Sequence, residues 1–245
     1  MRSFLIRILQ ALVIVAVASS LARADNFMYF KKKAAAGGVA YPGFTYDVVE
    51  DFEDALSGSW SEVDTGSILD PNDATAEYRG TNGMSVASGS ATFAYALYTL
   101  SAAKTTLSVG VWYKTGAYAG WSGLRGILSL YNNAQGDILR FTEGRDAGSN
   151  ARRMGWNLDV DPVTVSDDTW YWVTIKFVKN GACSASVYDT AGSQVGSTMA
   201  GTASDYSIDV IRLGQALGVS STSATYFDEF YVDYTDATFP LGPPQ

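Results

Sequence analysis

The sequence contains no histidine among its 245 residues. Serine and cysteine hydrolases that use an imidazole base need a histidine beside the nucleophile, and many zinc sites use histidine ligands. Both kinds of site are therefore excluded. Carboxylate chemistry and binding through aromatic or charged side chains remain open, because the chain has 25 acidic residues and 13% aromatic residues.

Cysteine is nearly absent as well. Cys183 is the single cysteine, so the chain can form no internal disulfide. It falls on the apolar face of a predicted strand. We expect a buried small hydrophobic residue there rather than a reactive thiol or an intermolecular bridge.

Long apolar runs are confined to the N-terminus. Arg2 and Arg7 precede an apolar segment at residues 8–18, and Ala-Arg-Ala follows at 22–24. This order is typical of a secretory signal peptide. The segment is shorter than the roughly 20 residues of a membrane-spanning helix, which disfavours an uncleaved anchor. We therefore predict a signal peptide at 1–24 and a mature protein that is secreted, periplasmic or at the cell surface, with no membrane segment.

Positive charge is scarce. The chain has 17 basic and 25 acidic residues, and removal of the signal peptide leaves 14 basic residues and a formal net charge of −11. An acidic protein of this kind argues against nucleic acids and anionic membrane surfaces as partners.

Helical periodicity is missing, whereas short strand patterns are frequent. An extended arm or linker is predicted at residues 25–44, and a loose tail at 240–245. Between them, short alternating segments bounded by Gly, Asn, Asp or Ser predict one all-β sandwich or barrel at 45–239. The arm carries three lysines at 31–33, which fit either a solvated arm or a peptide that docks on a neighbouring molecule.

The clearest pattern is a β-hairpin at residues 169–189, in which apolar and polar residues alternate on both sides of Lys-Asn-Gly. A two-residue turn would place Phe177 opposite Ser184 and mix the two faces. A three-residue turn, with Gly181 at positive φ, places Phe177 opposite Cys183 and yields one apolar and one polar face. We therefore predict the three-residue turn.

This register assigns the hairpin residues to faces. Trp172 and Tyr188 form a cross-strand pair on the polar face, which also carries Lys176. The apolar face is directed to the core and consists of Val173, Ile175, Phe177, Cys183, Ala185 and Val187.

Three motifs carry a family resemblance: DFED at 51–54, the hairpin with its closing ASVYDTAG at 185–192, and YFDEFYVD at 226–233. Together they resemble the concanavalin A-like lectin/glucanase superfamily, and within it the laminin G-like jelly rolls. Galactose-binding-like modules share the acidic opening and the paired closing acids, and they remain the alternative. Both imply an all-β, two-sheet antiparallel jelly-roll β-sandwich.

The resemblance also bears on catalysis. Glycosidases of this superfamily commonly carry Glu-x-Asp-x-Glu on one strand, because two carboxyl groups must flank the scissile bond. The acidic runs at 50–53 and 228–233 lack that spacing, and the histidine of alginate-lyase-like relatives is missing. A carboxylate pair from distant strands stays open, but we expect a protein that is not an enzyme.

Aromatic and basic residues in the middle of the chain are the candidate glycan site. Aromatic rings stack on sugar faces, and arginines bond sugar hydroxyls. The resemblance places these strands across the concave sheet, whereas the alternative interpretation has a core tryptophan and solvated arginines. The candidate ligand-binding residues are Tyr118, Trp121, Arg125, Tyr131, Arg140, Arg153 and Trp156.

Calcium is the one metal that the sequence suggests. If the first and last strands lie side by side, as jelly rolls allow, oxygen ligands could converge from both. Ordinary acids at strand ends are the alternative. The candidate ligands are Asp51, Glu53, Asp228 and Asp233.

These observations predict a secreted, non-catalytic glycan-binding or adhesion domain whose partner is a carbohydrate. Two alternatives remain. One is a structural surface, filament or virion component that assembles through the N-terminal arm, and the other is a glycan-active hydrolase or lyase.

Overall fold

The computed structural model describes residues 46–56, 58–87, 89–91, 93–116, 124–145, 151–156, 160–215, 219–221 and 223–235. These residues form 17 β-strands, and none of them belongs to a helix that could span a membrane. The predicted signal peptide, arm and C-terminal tail lie outside the described residues.

The first sheet, sheet I, has eight strands: β1 (Val48–Glu50), β3 (Leu69–Asp73), β4 (Gly83–Val86), β7 (Thr106–Thr115), β12 (Trp170–Val178), β13 (Ala182–Tyr188), β14 (Met199–Thr202) and β17 (Thr225–Asp233). Their order is β14-β13-β12-β7-β17-β4-β3, and β1 also pairs with β17. The first and last strands of the sandwich are thus neighbours.

The second sheet, sheet II, has seven strands: β2 (Trp60–Asp64), β6 (Ala94–Lys104), β8 (Leu124–Asn132), β9 (Gly136–Arg145), β10 (Arg152–Trp156), β11 (Val160–Val165) and β15 (Ile208–Gln215). Their order is β11-β10-β9-β8-β15-β6-β2. Two short strands, β5 (Gly89–Ala91) and β16 (Val219–Ser221), pair separately. Strands distant in sequence are neighbours in both sheets and all pairs are antiparallel, which confirms the predicted all-β jelly-roll sandwich.

The core lies between the two sheets. In β7, Leu107, Val109 and Val111 alternate with outward-facing residues and are fully buried. Sheet II supplies the opposing side chains, among them Leu128 and Leu213. Alternation in both sheets therefore produces one shared apolar layer.

The hairpin register is confirmed. Val173 lies opposite Val187 and Ile175 opposite Ala185, and three residues separate β12 from β13. Cys183 is buried, as expected, and burial raises the pKa of its thiol.

The conformation predicted for Gly181 is wrong. Asn180 carries the positive φ, 55°, and Gly181 donates its N–H to the Val178 carbonyl oxygen at 2.9 Å. Asparagine tolerates the left-handed region because its short polar side chain bonds locally. Here the Asn180 amide donates to Asp205 at 2.7 Å.

The polar face predicted for the hairpin is not a solvent-exposed face. Trp172 is 1% exposed, and Thr174 beside it is fully buried. On this outer side of sheet I, the ring centre of Trp172 lies 5.6 Å from that of Trp112 and 5.7 Å from that of Tyr231. Packing between aromatic side chains removes apolar surface from water on a face that does not contact sheet II.

Candidate functional site

Sheet II has an outer face that turns away from the core. In β15, Ile211 and Leu213 are fully buried in the core, so Arg212 between them points outward. Arg212 lies opposite Ser129 of β8, and Ser129 lies opposite Arg140 of β9. Residues directly opposite on neighbouring strands share a face, so Arg140 and Arg212 lie on the same outer face.

Arg212 is stacked between two tyrosine rings. Its guanidinium carbon lies 3.5 Å from the ring centre of Tyr131 and 4.9 Å from that of Tyr95. Each contact of this kind contributes roughly 0.5–2 kcal/mol, depending on desolvation. The two rings therefore hold the guanidinium group at this place on the outer face of sheet II.

Asp137 connects the two arginines. Its Oδ1 atom lies 3.8 Å from Nη1 of Arg212, and its Oδ2 atom accepts a hydrogen bond from Nη2 of Arg140. A register shift in the β8–β9 pairing sets Asp137 opposite Tyr131, which brings the aspartate to the arginines. We call the following residues the arginine–tyrosine cluster: Tyr95, Tyr131, Asp137, Arg140 and Arg212.

Two of the predicted ligand-binding residues, Tyr131 and Arg140, belong to this cluster. Tyr118, Trp121 and the side chain of Trp156 lie outside the described part of the chain. Ligand binding by all these residues stays a prediction, but the structure brings the first two together.

Arg153 shares the outer face of sheet II. Gly155 of β10 lies opposite Thr142 of β9. Arg153 is two positions before Gly155, and Arg140 is two positions before Thr142. Because alternate residues of a strand share a face, Arg153 is on the same side as Arg140.

Arg125 is not part of the outer face. Its side chain is 3% exposed, its Nη1 atom lies 3.4 Å from Glu143, and its Nη2 atom donates to the Ser223 carbonyl oxygen at 2.9 Å. A β-bulge between Gly126 and Leu128 adds one residue to β8. The side chains before the bulge therefore point to the opposite face from the one that regular alternation would give them. The bulge thus directs Arg125 inward.

Glu143 is the centre of a buried ionic cluster between the sheets. Besides Arg125, Arg152 approaches it at 4.0 Å and also contacts Asp167 at 2.9 Å. Burial, and then the Glu143 carboxylate, raise the pKa of the Tyr113 hydroxyl well above its usual 10. The side chains of Arg125, Glu143 and Arg152 are 2–4% exposed, so this cluster belongs to the interior of the sandwich and not to its outer surface.

The sequence prediction omitted Tyr95, Asp137 and Arg212. Arg212 offered a signal, because it is a lone cation among the apolar residues of VIRL, at 210–213 of a predicted strand. A charged residue at such a position points away from the core. For Tyr95 and Asp137 the sequence offers no comparable signal.

Among the predicted calcium ligands, Glu53 and Asp228 bind the same loop. The Oε1 atom of Glu53 accepts the Thr81 N–H at 2.7 Å, and Oδ2 of Asp228 accepts those of Tyr78 and Arg79 at 2.8 and 2.7 Å. Both carboxylates therefore already accept hydrogen bonds from the backbone.

Burial raises the pKa of the Asp228 carboxyl to about 8, although its backbone donors favour the charged form. Burial likewise raises the pKa of Glu229 to about 7, with Arg79 opposing and Asp51 adding to the shift. Asp51, Asp228 and Glu229 thus form an acidic region in which negative charge is disfavoured.

Asp233 is remote from this region. A register shift in β17 sets Asp233 opposite Ser108, four residues from Trp112, the partner of Asp228, so the two acids lie roughly 13 Å apart at about 3.3 Å per residue. Within the described residues, no group of three or more acidic or cysteine side chains converges to hold a metal ion. The calcium site therefore stays a prediction from the sequence.

No protein-family model matches the chain, and no curated protein matches it. Solved structures do match. A cellulose-induced protein, Cip1, has a TM-score of 0.55 at 14% identity. The match covers 77% of this chain and 98% of the Cip1 chain. A protein of unknown function from Shewanella oneidensis MR-1 has a TM-score of 0.50 at 17% identity, covering 82% and 92%.

A mutant of the GH43 protein BlXynB from Bacillus licheniformis has a TM-score of 0.53 at 10% identity. The match covers 76% of this chain and 39% of the BlXynB chain. At such identities the similarity concerns the fold. The three solved structures therefore support the jelly-roll sandwich fold of this chain.

Proposed function

We propose that this protein is a secreted, non-catalytic glycan-binding protein of the concanavalin A-like type, and that it binds its ligand on the outer face of sheet II. The observation that carries the proposal is the arginine–tyrosine cluster. It places two guanidinium groups, two tyrosine rings and one carboxylate on a strand surface.

The cluster has the chemistry that sugar recognition requires. Guanidinium N–H groups donate to hydroxyl and ring oxygens, and the carboxylate of Asp137 accepts from hydroxyls. The stacked rings hold Arg212 in one orientation, so little side-chain entropy is lost on binding. Rigid strands carry all five side chains, which favours a preformed site.

The number of carboxylates favours binding over hydrolysis. Glycoside hydrolysis commonly uses two carboxyl groups on opposite sides of the scissile bond, about 5–10 Å apart. The arginine–tyrosine cluster supplies one, Asp137. The fold similarity to a GH43 protein supports a glycan partner, and we propose that this partner binds at the cluster.

A glycan array with the purified protein tests the proposal. We expect binding to at least one polysaccharide, and we expect Tyr131→Ala to weaken it by removing the ring under Arg212. Lys176→Ala on sheet I is the matched control and should bind like the original protein. Absence of binding to any glycan, with ordered self-assembly instead, would favour a structural component and reject the proposal.

A further inference from the structure

We propose that the glycan recognised by the outer face of sheet II is a polyanion that carries carboxylate groups, as a polymer of uronic acid does. This inference rests on the proposed function. Its first support is charge: two arginines, Arg140 and Arg212, contact one carboxylate, Asp137, so the arginine–tyrosine cluster has a formal net charge of +1 on a chain whose formal net charge is −8.

The geometry of the two bridged arginines fits a carboxylate. Asp137 engages Nη1 of Arg212 and Nη2 of Arg140, so the other terminal nitrogen of each guanidinium is not used by this aspartate. A guanidinium N–H that binds a carboxylate makes a charge-assisted hydrogen bond, which is about twice as strong as a hydrogen bond to a neutral hydroxyl.

Burial of the same arginines argues against a neutral ligand. The side chains of Arg212 and Arg140 are 15% and 22% exposed. A neutral sugar laid over them would remove their remaining water without supplying a compensating charge, which is unfavourable. A uronate supplies that charge.

The tyrosines point to the same conclusion. The guanidinium of Arg212 covers one face of the Tyr131 ring at 3.5 Å from its centre, so that face cannot stack on a sugar. The ring instead orients the cation. Recognition at this position is therefore by charge more than by aromatic stacking.

The experiment compares each charged polymer with a form in which its carboxylates are replaced by neutral hydroxymethyl groups. Polygalacturonate, polymannuronate and polyglucuronate are each titrated calorimetrically beside their carboxyl-reduced, neutral forms. We expect at least one polyuronate to bind about tenfold or more tightly than its reduced form, because hydrogen bonds between charged partners are about twice as strong as neutral ones. Affinity should also fall as salt is raised.

Two charge-matched variants localise the effect. Arg212→Gln should reduce affinity for the polyuronate about tenfold or more, whereas Lys176→Gln, which removes the same charge from sheet I, should not. Circular dichroism checks that both variants fold. Equal loss in the two variants would show that overall charge acts, and would overturn the assignment to this face.

The outcomes separate the two proposals. Equal binding of charged and reduced polymers, or binding to neutral glycans alone on the array, overturns the polyanion inference and leaves glycan binding standing. Absence of binding to any glycan rejects both.

Discussion

A Cβ atom added to Gly110 would lie 2.1 Å from Cζ2 of Trp172, far inside van der Waals contact. Gly110 lies opposite Thr174 in sheet I, and Trp172 two residues earlier on β12 extends its ring over the glycine. The missing side chain thus makes room for a tryptophan that packs against Trp112 and Tyr231.

Gly110→Ala should therefore destabilise the protein by about 1–3 kcal/mol, as overpacking of a filled site does. Urea denaturation measures the change. Gly116→Ala is the control, because the nearest atom to its added Cβ is 3.6 Å away, and it should stay within about 0.5 kcal/mol of the original. Equal stability of both variants would show that Trp172 moves aside freely.

The two faces of β12 should respond differently to truncation. Phe177 is fully buried in the core, so Phe177→Ala should cost about 3–5 kcal/mol of unfolding free energy. Lys176→Ala, on the outer side of sheet I, should cost no more than about 0.5 kcal/mol. Thermal and chemical denaturation give both values, and a large loss at Lys176 would contradict the assignment of faces.

The turn of the hairpin gives a third prediction. Asn180→Val should cost at least about 1 kcal/mol, because a β-branched residue resists the positive φ of 55° at this position. Asn180→Gly should be milder, since glycine adopts that conformation without strain and loses the bond to Asp205 alone. A similar loss in both variants would assign the effect to the hydrogen bond.

Removal of charge from the buried ionic cluster should be costly. Glu143→Gln leaves the buried Arg125 and Arg152 without their shared carboxylate, and breaking a buried ion pair costs about 3–5 kcal/mol. Asp168→Asn breaks the pair with Lys114, in which the aspartate is 66% exposed, and should cost at most about 1 kcal/mol. Comparable losses would mean that Glu143 is less buried than the structure shows.

Calcium can be tested by removal. If Asp51 and Asp228 share an ion, EDTA should lower the melting temperature and added calcium should restore it, because an ion bound by the folded state stabilises by mass action. Asp228→Asn should abolish the calcium response. A melting curve that neither EDTA nor calcium changes would remove the site.

The sequence by itself determined the sandwich and its best-defined hairpin. Strict alternation at Val173, Ile175 and Phe177 leaves one register in which apolar residues share a face, and the length of the turn enforces it. The same information did not identify Asn180 as the residue at positive φ, because asparagine and glycine both allow it.

Only the tertiary structure decided the site. Tyr131 and Arg212 are neighbours because β15 pairs with β8, a contact between segments that are about 80 residues apart, which no local pattern reveals. Arg125 and Tyr131 would share a face on an uninterrupted strand. The bulge before Leu128 adds one residue and sends Arg125 into the core, because each extra residue reverses the alternation of side chains.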